Sequence, residues 1–413
     1  MNKWFQLGNF VEASLKGITP KYIDKSDVIV LNQKCIRNNK IDYSFSQFHD
    51  PSKTFNDKKI LRIGDLLFNS TGQGTAGRCA FVRNLPTDKK VITDSHILII
   101  RINDYHLAEC FSYSFYKEEK FIQSFMDGST GQGELDKLRL FNVEFRLPEK
   151  SNRKTVCEFF NSIDQKIELN NQINVELEGL AKLVYDYWFV QFDFPTPARY
   201  AAAVDKPDME AKPYKASGGK MVYNEVLKRE IPEGWEVKKL KEFAKTGSGG
   251  TPLKSKKEYY SNATIPWINS GEVNNPFIVS ATKFINSNGL AGSSAKLFPK
   301  GTILMAMYGA TAGQVSLIDI EASTNQAICA ISPKKECFKY YLKFALEDLY
   351  QYLVNLSSGS ARDNLSQDKI KNIHFPIPDD LLIENFHQQV NPMMDRILIN
   401  LKENQELSDF RDW

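Results

Sequence analysis

The chain has 413 residues, of which 42% are hydrophobic and 25% charged, and its formal net charge at pH 7 is +3. This length predicts two or more domains with cores of their own, and the composition is typical of a globular protein rather than a disordered or fibrous one. No apolar run reaches the length of a membrane span, the start does not match a signal peptide, and the six cysteines are scattered. We therefore expect a cytoplasmic protein that contacts no membrane and has neither a disulfide framework nor a zinc site.

Residues 1–150 combine short β-like runs with one helical stretch and two polar loops. The runs are Val28–Leu31, Leu66–Asn69, 80–82 and Ile97–Ile102, each bounded by turn residues. A helical pattern over about residues 108–125 precedes a glycine-rich polar loop. The pattern predicts one mixed α/β domain over residues 1–150.

A long amphipathic helix is predicted over residues 151–194. Its apolar residues follow the 3-4 spacing of a coiled-coil seam, and they are Val156, Phe160, Ile163, Ile167, Leu177, Ala181 and Val184. Asn170 and Asn174 occupy the same seam. Because a long helix with one apolar stripe has to cover that stripe, we expect a partner helix.

Residues 195–230 are rich in Ala, Pro, Lys and Gly and are predicted to form a linker. After it, residues 231–378 repeat the first domain, since the glycine-bounded segment 64–72 corresponds to 301–309. Residues 379–413 repeat the helix. One scaffold with two different sets of loop residues suggests two recognition surfaces.

The strongest sign of this repeat is a pair of asparagines. Asn400 and Asn404 stand 230 positions after Asn170 and Asn174, in the same register of the apolar seam. Two unrelated surface helices would not be expected to share both positions. Buried asparagines lower stability but specify the register of a helix pair. We therefore predict that the two long helices pack on each other.

The sequence lacks the common catalytic patterns. It has no glycine-rich dinucleotide loop, no phosphate-binding Gly-Lys-Ser/Thr loop and no His-Glu-x-x-His motif. The segment Asn391-Pro392-Met393-Met394 only partly imitates the Asn-Pro-Pro-aromatic box of an amino-methyltransferase. The five histidines have no nearby nucleophile or set of ligands. We therefore predict neither catalytic nor metal-binding residues in this chain.

The loop residues suit contacts with nucleic acid instead. Asn and Gln can pair with adenine edges and Arg or Lys with guanine, while Ser, Thr and Gly approach phosphates closely. For any single residue, an ordinary solvated surface remains an open alternative. The candidate DNA-binding residues are Asn69, Ser70, Thr71, Gln73, Ser129, Thr130, Gln132, Lys254, Lys256, Lys257, Tyr308, Thr311, Gln314, Ser358, Ser360, Arg362 and Asn364.

These features together resemble the DNA-specificity subunit of a type I restriction–modification enzyme. The resemblance covers nearly the whole chain, and it depends on the order and duplication of short motifs. The motifs are Gly64-Asp-Leu-Leu-Phe68, Leu147-Pro148, Ile163–Asn171, Trp188-Phe189-Val190, Ile231-Pro-Glu-Gly-Trp235, Gly301-Thr-Ile-Leu-Met305 and Ile377-Pro378.

The resemblance implies an α+β chain in which two similar target-recognition domains are joined by two long antiparallel coiled-coil helices. Each domain would read half of a split site in double-stranded DNA, about one helical turn from the other. Two methyltransferase subunits and the restriction/translocase subunits would supply catalysis with S-adenosylmethionine, ATP and Mg²⁺, and this chain would hold no cofactor. Family members usually continue past the point that corresponds to Trp413, whereas this sequence has no second copy of residues 185–194.

Two other functions remain open from the sequence. A self-contained DNA enzyme would transfer methyl groups without a partner. A protein-only coiled-coil scaffold without DNA readout would bind its partners without preference among DNA duplexes and with little dependence on salt.

Overall fold

A computed structural model describes residues 3–72, 74–127, 133–203, 207–350, 352–353 and 365–412. The chain divides into two compact units, one made of Met1–Gln165 with Ser408–Trp413 and the other of Lys166–Leu407. Among the described residues, no helix combines the length and the apolar character that crossing a membrane requires.

The first unit contains fourteen strands among its described residues, several of them only two residues long. They are β1 (Lys3–Gln6), β2 (Val11–Lys16), β3 (Tyr22–Ile23), β4 (Val28–Leu31), β5 (Ile36–Arg37), β6 (Lys40–Ile41), β7 (Gln47–His49), β8 (Leu66–Asn69), β9 (Cys79–Phe81), β10 (Lys90–Thr93), β11 (Ile97–Ile102), β12 (Met126–Asp127), β13 (Glu134–Leu135) and β14 (Glu144–Leu147). Two four-stranded sheets result. One has the order β2-β11-β8-β9 with antiparallel neighbours, and the other has the order β10-β4-β7-β3.

The sheet that contains β8 is covered on both faces, which explains why β8 and β11 are buried along their whole length. Phe68 faces helix α1 (Tyr105–Lys117) and lies with its ring centroid 4.9 Å from that of Phe115. Leu67, on the opposite face, joins a cluster with Leu31 of the second sheet. The other helices of this unit are α2 (Glu119–Gln123), α3 (Lys137–Phe141) and the start of α4 (Lys150–Tyr185).

The second unit contains thirteen strands within the described ranges. They are β15 (Met221–Asn224), β16 (Arg229–Pro232), β17 (Glu236–Lys239), β18 (Ala244–Ser248), β19 (Ile265–Ile268), β20 (Phe277–Ile278), β21 (Phe284–Ile285), β22 (Leu297–Phe298), β23 (Ile303–Ala306), β24 (Val315–Ile318), β25 (Ala322–Thr324), β26 (Ile328–Pro333) and β27 (His374–Ile377). Its further helices are α5 (Ala198–Ala203), α6 (Leu240–Phe243), α7 (Ser287–Ala291), α8 (Phe338–Asp348), α9 (Gln367–Lys371) and most of α10 (Asp380–Asp412).

The two units repeat one strand plan. The order β2-β11-β8-β9 of the first recurs as β18-β26-β23-β24 in the second, and the terminal pair β1–β14 recurs as β17–β27. The register is also repeated, because Leu98 pairs with Lys16 in one unit and Cys329 with Ser248 in the other. The predicted correspondence of segments 64–72 and 301–309 is confirmed, since these segments contain β8 and β23.

The asparagines of the two long helices meet inside the second unit. Asn170 donates from Nδ2 to Asn404 Oδ1 at 2.9 Å, and Asn400 donates from Nδ2 to Asn174 Oδ1 at 2.8 Å. All four side chains are at least nine-tenths buried. Because the later residue of one helix pairs with the earlier residue of the other, the two segments run in opposite directions. The two asparagine-bearing segments therefore contact each other through these hydrogen bonds.

The predicted boundaries of the first long helix and of the linker need correction. The α-helix ends at Tyr185 and continues only as a π-helical turn, Asp186–Val190. Residues 195–230 also contribute to the fold, since they contain α5, β15 and the start of β16, which pairs with β15 in a hairpin. Phe194 stacks on Tyr214 with ring centroids 4.8 Å apart, and Phe194 lies 5.6 Å from Trp235. These buried aromatic contacts anchor a segment whose composition alone suggested a linker.

Candidate nucleic-acid interface

The first predicted loop leaves the sheet at the end of β8, where two of its polar side chains turn inward. Asn69 is fully buried and donates from Nδ2 to the Gln33 backbone oxygen at 3.1 Å. Ser70 is also buried and donates from Oγ to the His96 backbone oxygen at 2.9 Å. The expected base or phosphate contacts of Asn69 and Ser70 therefore do not fit their positions, because both side chains are used to hold the base of the loop.

Thr71, the next residue, belongs to a polar cluster at the surface. Gln33 donates from Nε2 to the backbone oxygen of Thr71 at 2.7 Å and to its hydroxyl at 2.6 Å. The same hydroxyl lies 2.8 Å from Nδ1 of His96, whose side chain is exposed. Gln33 and His96 were not among the sequence candidates because they are far from the loop in the chain. We call Gln33, Thr71 and His96 the first polar cluster.

The second polar loop of this unit lies largely outside the described residues, as do the predicted contacts Gln73, Ser129, Thr130 and Gln132. The end of this loop is described and lies beside the first loop. Leu135 donates its backbone N–H to the Ser70 oxygen at 2.7 Å, and Glu134 forms an antiparallel bridge with Thr71. The structure therefore brings together the edges of two loops that are more than sixty residues apart in the sequence.

The corresponding loop of the second unit follows β23 and uses the same backbone support. The Met307 N–H donates to the Ala327 oxygen at 2.8 Å, just as the Ser70 N–H donates to the His96 oxygen at 2.8 Å in the first unit. Tyr308, the next residue, is 37% exposed. Gly309 has a φ of +75°, a backbone conformation that residues other than glycine rarely adopt. This conformation allows the sharp turn into the loop.

Two further candidates lie on this loop. Thr311 is partly exposed, whereas Gln314 is half-buried and its Oε1 has no hydrogen-bond partner among the described residues. Gln314 lines a cavity of about 380 Å³ together with Asn274 and Tyr350. A buried amide oxygen without a partner beside an open cavity is free to accept a hydrogen bond from a ligand. Ser358, Ser360, Arg362 and Asn364 lie outside the described residues.

The predicted lysine cluster lies on an exposed segment between β18 and β19. Lys254, Lys256 and Lys257 are all exposed. Lys256 donates from Nζ to the Tyr259 hydroxyl at 3.0 Å and lies 5.0 Å from the centre of that ring. This hydrogen bond raises the pKa of Lys256, so its charge is maintained at neutral pH. Three exposed cations within four residues have the charge and the accessibility that a contact with phosphate requires.

The lysine segment begins where the backbone at Gly249 passes very close to the backbone at Thr324. The first unit has an equivalent close approach, between Gly17 and Asp94. A Cβ atom on Gly249 would lie 1.9 Å from the Thr324 backbone oxygen, and one on Gly17 would lie 1.9 Å from that of Asp94. Only glycine fits at these two positions. Thr251, two residues after Gly249, hydrogen-bonds through its hydroxyl to the exposed Gln326. Thr251 and Gln326 form a second polar cluster, which lies beside the lysine segment in the chain.

A duplicated β-sheet scaffold with different exposed polar residues in its two copies defines a class of recognition protein built from two modules. Comparison with known proteins identifies the class. The family model described as type I restriction modification DNA specificity domain matches twice, over residues 2–179 and 232–390. The chain therefore belongs to the type I restriction–modification DNA-specificity family.

Individual relatives agree with this assignment. The type I restriction enzyme HindI specificity subunit of Haemophilus influenzae is 28% identical over 432 residues, which cover 94% of this chain and 92% of the relative. The MjaIX specificity subunit of Methanocaldococcus jannaschii is 25% identical over 71% of this chain and 63% of the relative. The crystal structure of a type I restriction–modification S subunit from M. genitalium is similar in fold, with a TM-score of 0.55 at 14% identity, over 100% of this chain and 94% of the other.

Proposed function

We propose that this chain is the sequence-specific DNA-binding subunit of a type I restriction–modification complex, and that it reads a bipartite site in double-stranded DNA. The observation that carries the proposal is the repeated strand plan with unequal loops. The same backbone hydrogen bond supports Ser70 in one unit and Met307 in the other, yet the following residues are Thr71 and Tyr308. Two different readers on one scaffold are suited to two different half-sites.

The proposed target-recognition domains are residues 1–150 and 231–378. In the first domain, we propose that the first polar cluster contacts base edges, together with Gln73, Ser129, Thr130 and Gln132. Asn69 and Ser70 then support the loop and do not contact DNA. In the second domain, Tyr308, Thr311 and Gln314 face the DNA with Ser358, Ser360, Arg362 and Asn364, and Lys254, Lys256 and Lys257 bind phosphates.

The long helices are proposed to act as an antiparallel coiled-coil spacer whose register Asn170, Asn174, Asn400 and Asn404 specify. Ion pairs in the second unit support this role. Lys343 is fully buried and donates to Glu178 on α4 at 2.9 Å, and Asp319 pairs with Lys402 on α10 at 2.5 Å. The first pair attaches α8 to α4 and the second attaches the end of β24 to α10, so a change in helix register would move this recognition domain.

Catalysis is proposed to belong to partner subunits, two methyltransferase chains and the restriction/translocase chains. These would use S-adenosylmethionine, ATP and Mg²⁺, and this chain would bind none of them. An exposed apolar stripe on the first long helix and its final turn provides a docking surface for a methyltransferase subunit. The stripe consists of Leu180, Leu183, Tyr187 and Val190, each between 38% and 60% exposed.

A competition binding experiment tests the proposal. The full chain with its methyltransferase partner is bound to labelled host DNA fragments, the bound fragments are footprinted with a nuclease, and the complex is then challenged with unlabelled duplexes at several salt concentrations. We expect two protected blocks separated by an unprotected spacer, and affinity that falls steeply with salt. One continuous protected block would contradict the bipartite reading. Salt-insensitive binding without preference among duplexes would favour a protein-only scaffold.

A further inference from the structure

Four side chains that can bind a metal converge inside the first unit, where α1 packs on the start of α4. His106, Glu109 and Cys110 lie on successive turns of one face of α1, and Cys157 lies in the second turn of α4. The two helices contact each other here, since the Tyr113 hydroxyl donates to Asp164 at 3.1 Å. No sequence motif indicates this cluster, because Cys157 is 47 positions from Cys110 and more from the others.

Three of these residues direct one ligand atom each at a common point. A ring nitrogen of His106, a carboxylate oxygen of Glu109 and Sγ of Cys157 all lie within 4.8 Å of one another. The His106 nitrogen is 3.7 Å from Glu109 Oε2, which is too long for a hydrogen bond. Donor atoms around a tetrahedral zinc ion are separated by about 3.3–3.8 Å, given bond lengths of about 2.0–2.3 Å. Small side-chain rotations would bring all three donors to that separation.

The environment of the His106 ring nitrogen is a second, independent observation that points to a bound ion. Nδ1 is buried and has no hydrogen-bond partner among the described residues, although the side chain as a whole is 37% exposed. An unpaired buried nitrogen costs free energy unless something occupies its lone pair. The exposed part of the ring also leaves a route by which an ion can enter from solvent.

The residues that contact the three candidate ligands are placed to act as an outer shell around a metal ion. Arg83 donates from Nε to the other carboxylate oxygen of Glu109 at 3.3 Å, which leaves Oε2 oriented towards His106. The Cys110 sulfur lies 3.4 Å from that of Cys157, and both thiols are buried. Outer-shell contacts of this kind orient metal ligands and strengthen binding.

We propose that His106, Glu109 and Cys157 bind a divalent transition-metal ion, with zinc as the ion best suited to this mixed nitrogen, oxygen and sulfur set. The ion is structural and fixes α1 of the first domain to the first turns of α4. Cys110 and Arg83 are outer-shell residues that position Cys157 and Glu109. This site is independent of DNA recognition, so it can be tested without DNA.

Cobalt binding to the full-length chain tests the site. The protein, freed of any affinity tag and stripped with a chelator, is titrated with Co²⁺ and then with Zn²⁺. We expect a sulfur-to-cobalt charge-transfer band in the near ultraviolet that saturates at one ion per chain and disappears when zinc displaces cobalt. Zinc should also raise the melting temperature. Failure to observe the charge-transfer band in the wild-type chain would overturn the proposal without further variants.

Substitutions then locate the ion. Cys157→Ser should abolish the charge-transfer band, and His106→Gln and Glu109→Gln should leave it but weaken binding. Cys110→Ser should weaken zinc binding by about tenfold, as expected for an outer-shell change. Cys79→Ser is the matched control, because Cys79 is an equally buried thiol of the same unit that contacts Asn39 and Ser112. A band that survives in Cys157→Ser, or disappears in Cys79→Ser, would contradict this assignment. Circular dichroism of each metal-free variant checks that it folds.

Discussion

The side-chain amide of Asn170 donates a 2.9 Å hydrogen bond to the side-chain oxygen of Asn404, although 234 positions separate the two residues in the chain. Asn170 also donates to Glu403 at 2.9 Å. The Oδ1 atom of Asn170 is buried and has no partner among the described residues. The pair therefore fixes which residues face each other, but it leaves part of its polar surface unsatisfied, which lowers stability.

Single and paired substitutions at this contact should have opposite effects. Asn170→Leu alone leaves the buried Asn404 oxygen without its donor and should destabilise the fold by about 1–3 kcal/mol. Asn170→Leu combined with Asn404→Leu removes both polar groups and should restore or exceed wild-type stability, while the helix register becomes less well specified. Denaturant unfolding of the three proteins measures the difference. Equal destabilisation by the single and double variants would contradict the proposed role.

A second prediction comes from equivalent positions of the two sheets that carry different chemistry. In the first unit, Arg101 donates from Nε to buried Asp65 at 2.9 Å. In the second unit, the same two positions hold Thr302 and Ser332, whose hydroxyls lie 3.1 Å apart. In both units, one residue of the pair lies directly before β8 or β23, and the other lies on the neighbouring strand, β11 or β26.

Two hydroxyls occupy these positions in the second unit. The double variant Asp65→Thr with Arg101→Ser should therefore fold with a stability close to that of the wild type. Arg101→Ser alone leaves a buried carboxylate without its partner and should cost about 3–5 kcal/mol. Thermal and denaturant unfolding of both variants tests this. A double variant as unstable as Arg101→Ser would show that the two sheets are not interchangeable at this position.

Acid should weaken the attachment of the second sheet to α10. Burial raises the pKa of Asp319, but hydrogen bonds from Lys300 and Lys402 outweigh it, so the pKa of Asp319 is lower than usual. A carboxyl with a lowered pKa in the folded state stabilises the fold above the pKa of the unfolded chain, about 3.9, and loses this contribution as the pH falls. The free energy of unfolding should therefore fall with acid more steeply in the wild type than in Asp319→Asn. If the free energy of unfolding fell equally with acid in both proteins, the ion pair of Asp319 would not make the predicted contribution to stability.

The lysine segment should supply affinity without sequence preference. Replacing Lys254, Lys256 and Lys257 by alanine should weaken binding to all duplexes by a similar factor. It should also reduce the salt dependence by about 0.9 in log–log slope for each phosphate that the variant no longer neutralises. The measurement is a salt titration of binding to the methylated motif and to a scrambled duplex. A variant that loses preference for the motif but keeps its salt slope would assign these lysines to base readout instead.

The first polar cluster should show the reverse pattern. Gln33→Ala and His96→Ala should each reduce discrimination at one base pair of a single half-site by about 1–3 kcal/mol, with little change in salt slope. Ser70→Ala is the matched control, since its hydroxyl is buried under the same loop. Loss of discrimination in both half-sites would indicate a change in folding rather than in readout.

Periodicity in the sequence was sufficient to predict the duplicated scaffold. The glycine-bounded strands β8 and β23 and the asparagine pairs recur at near-constant offsets because sheet register and helix seams impose a regular pattern on the residues they bury. The repeat is less exact in detail. A shift of 230 positions carries the buried Ile163 onto Met393, but Met394 is the fully buried residue of the second helix, since an α-helix drifts from a strict seven-residue repeat.

Contacts between distant segments could not be predicted in the same way. Asn69 had the residue type and loop position of a base contact, yet it points inward, while Gln33 and His96 reach the surface beside Thr71 from other parts of the chain. The region 195–230 is low in sequence complexity, but Tyr214 is buried against Phe194. Each of these outcomes depends on tertiary packing, for which a single sequence provides no periodic signal.

The most direct test of bipartite recognition is the methylation pattern of the host genome, read by single-molecule sequencing with and without the gene for this chain. We expect one methylated motif to disappear on deletion, and we expect that motif to consist of two specified blocks separated by a spacer of fixed length and unspecified sequence. Exchange of residues 1–150 for the corresponding domain of a relative should alter only one block. A single uninterrupted motif, or a methylation pattern unchanged by the deletion, would contradict a two-reader specificity subunit.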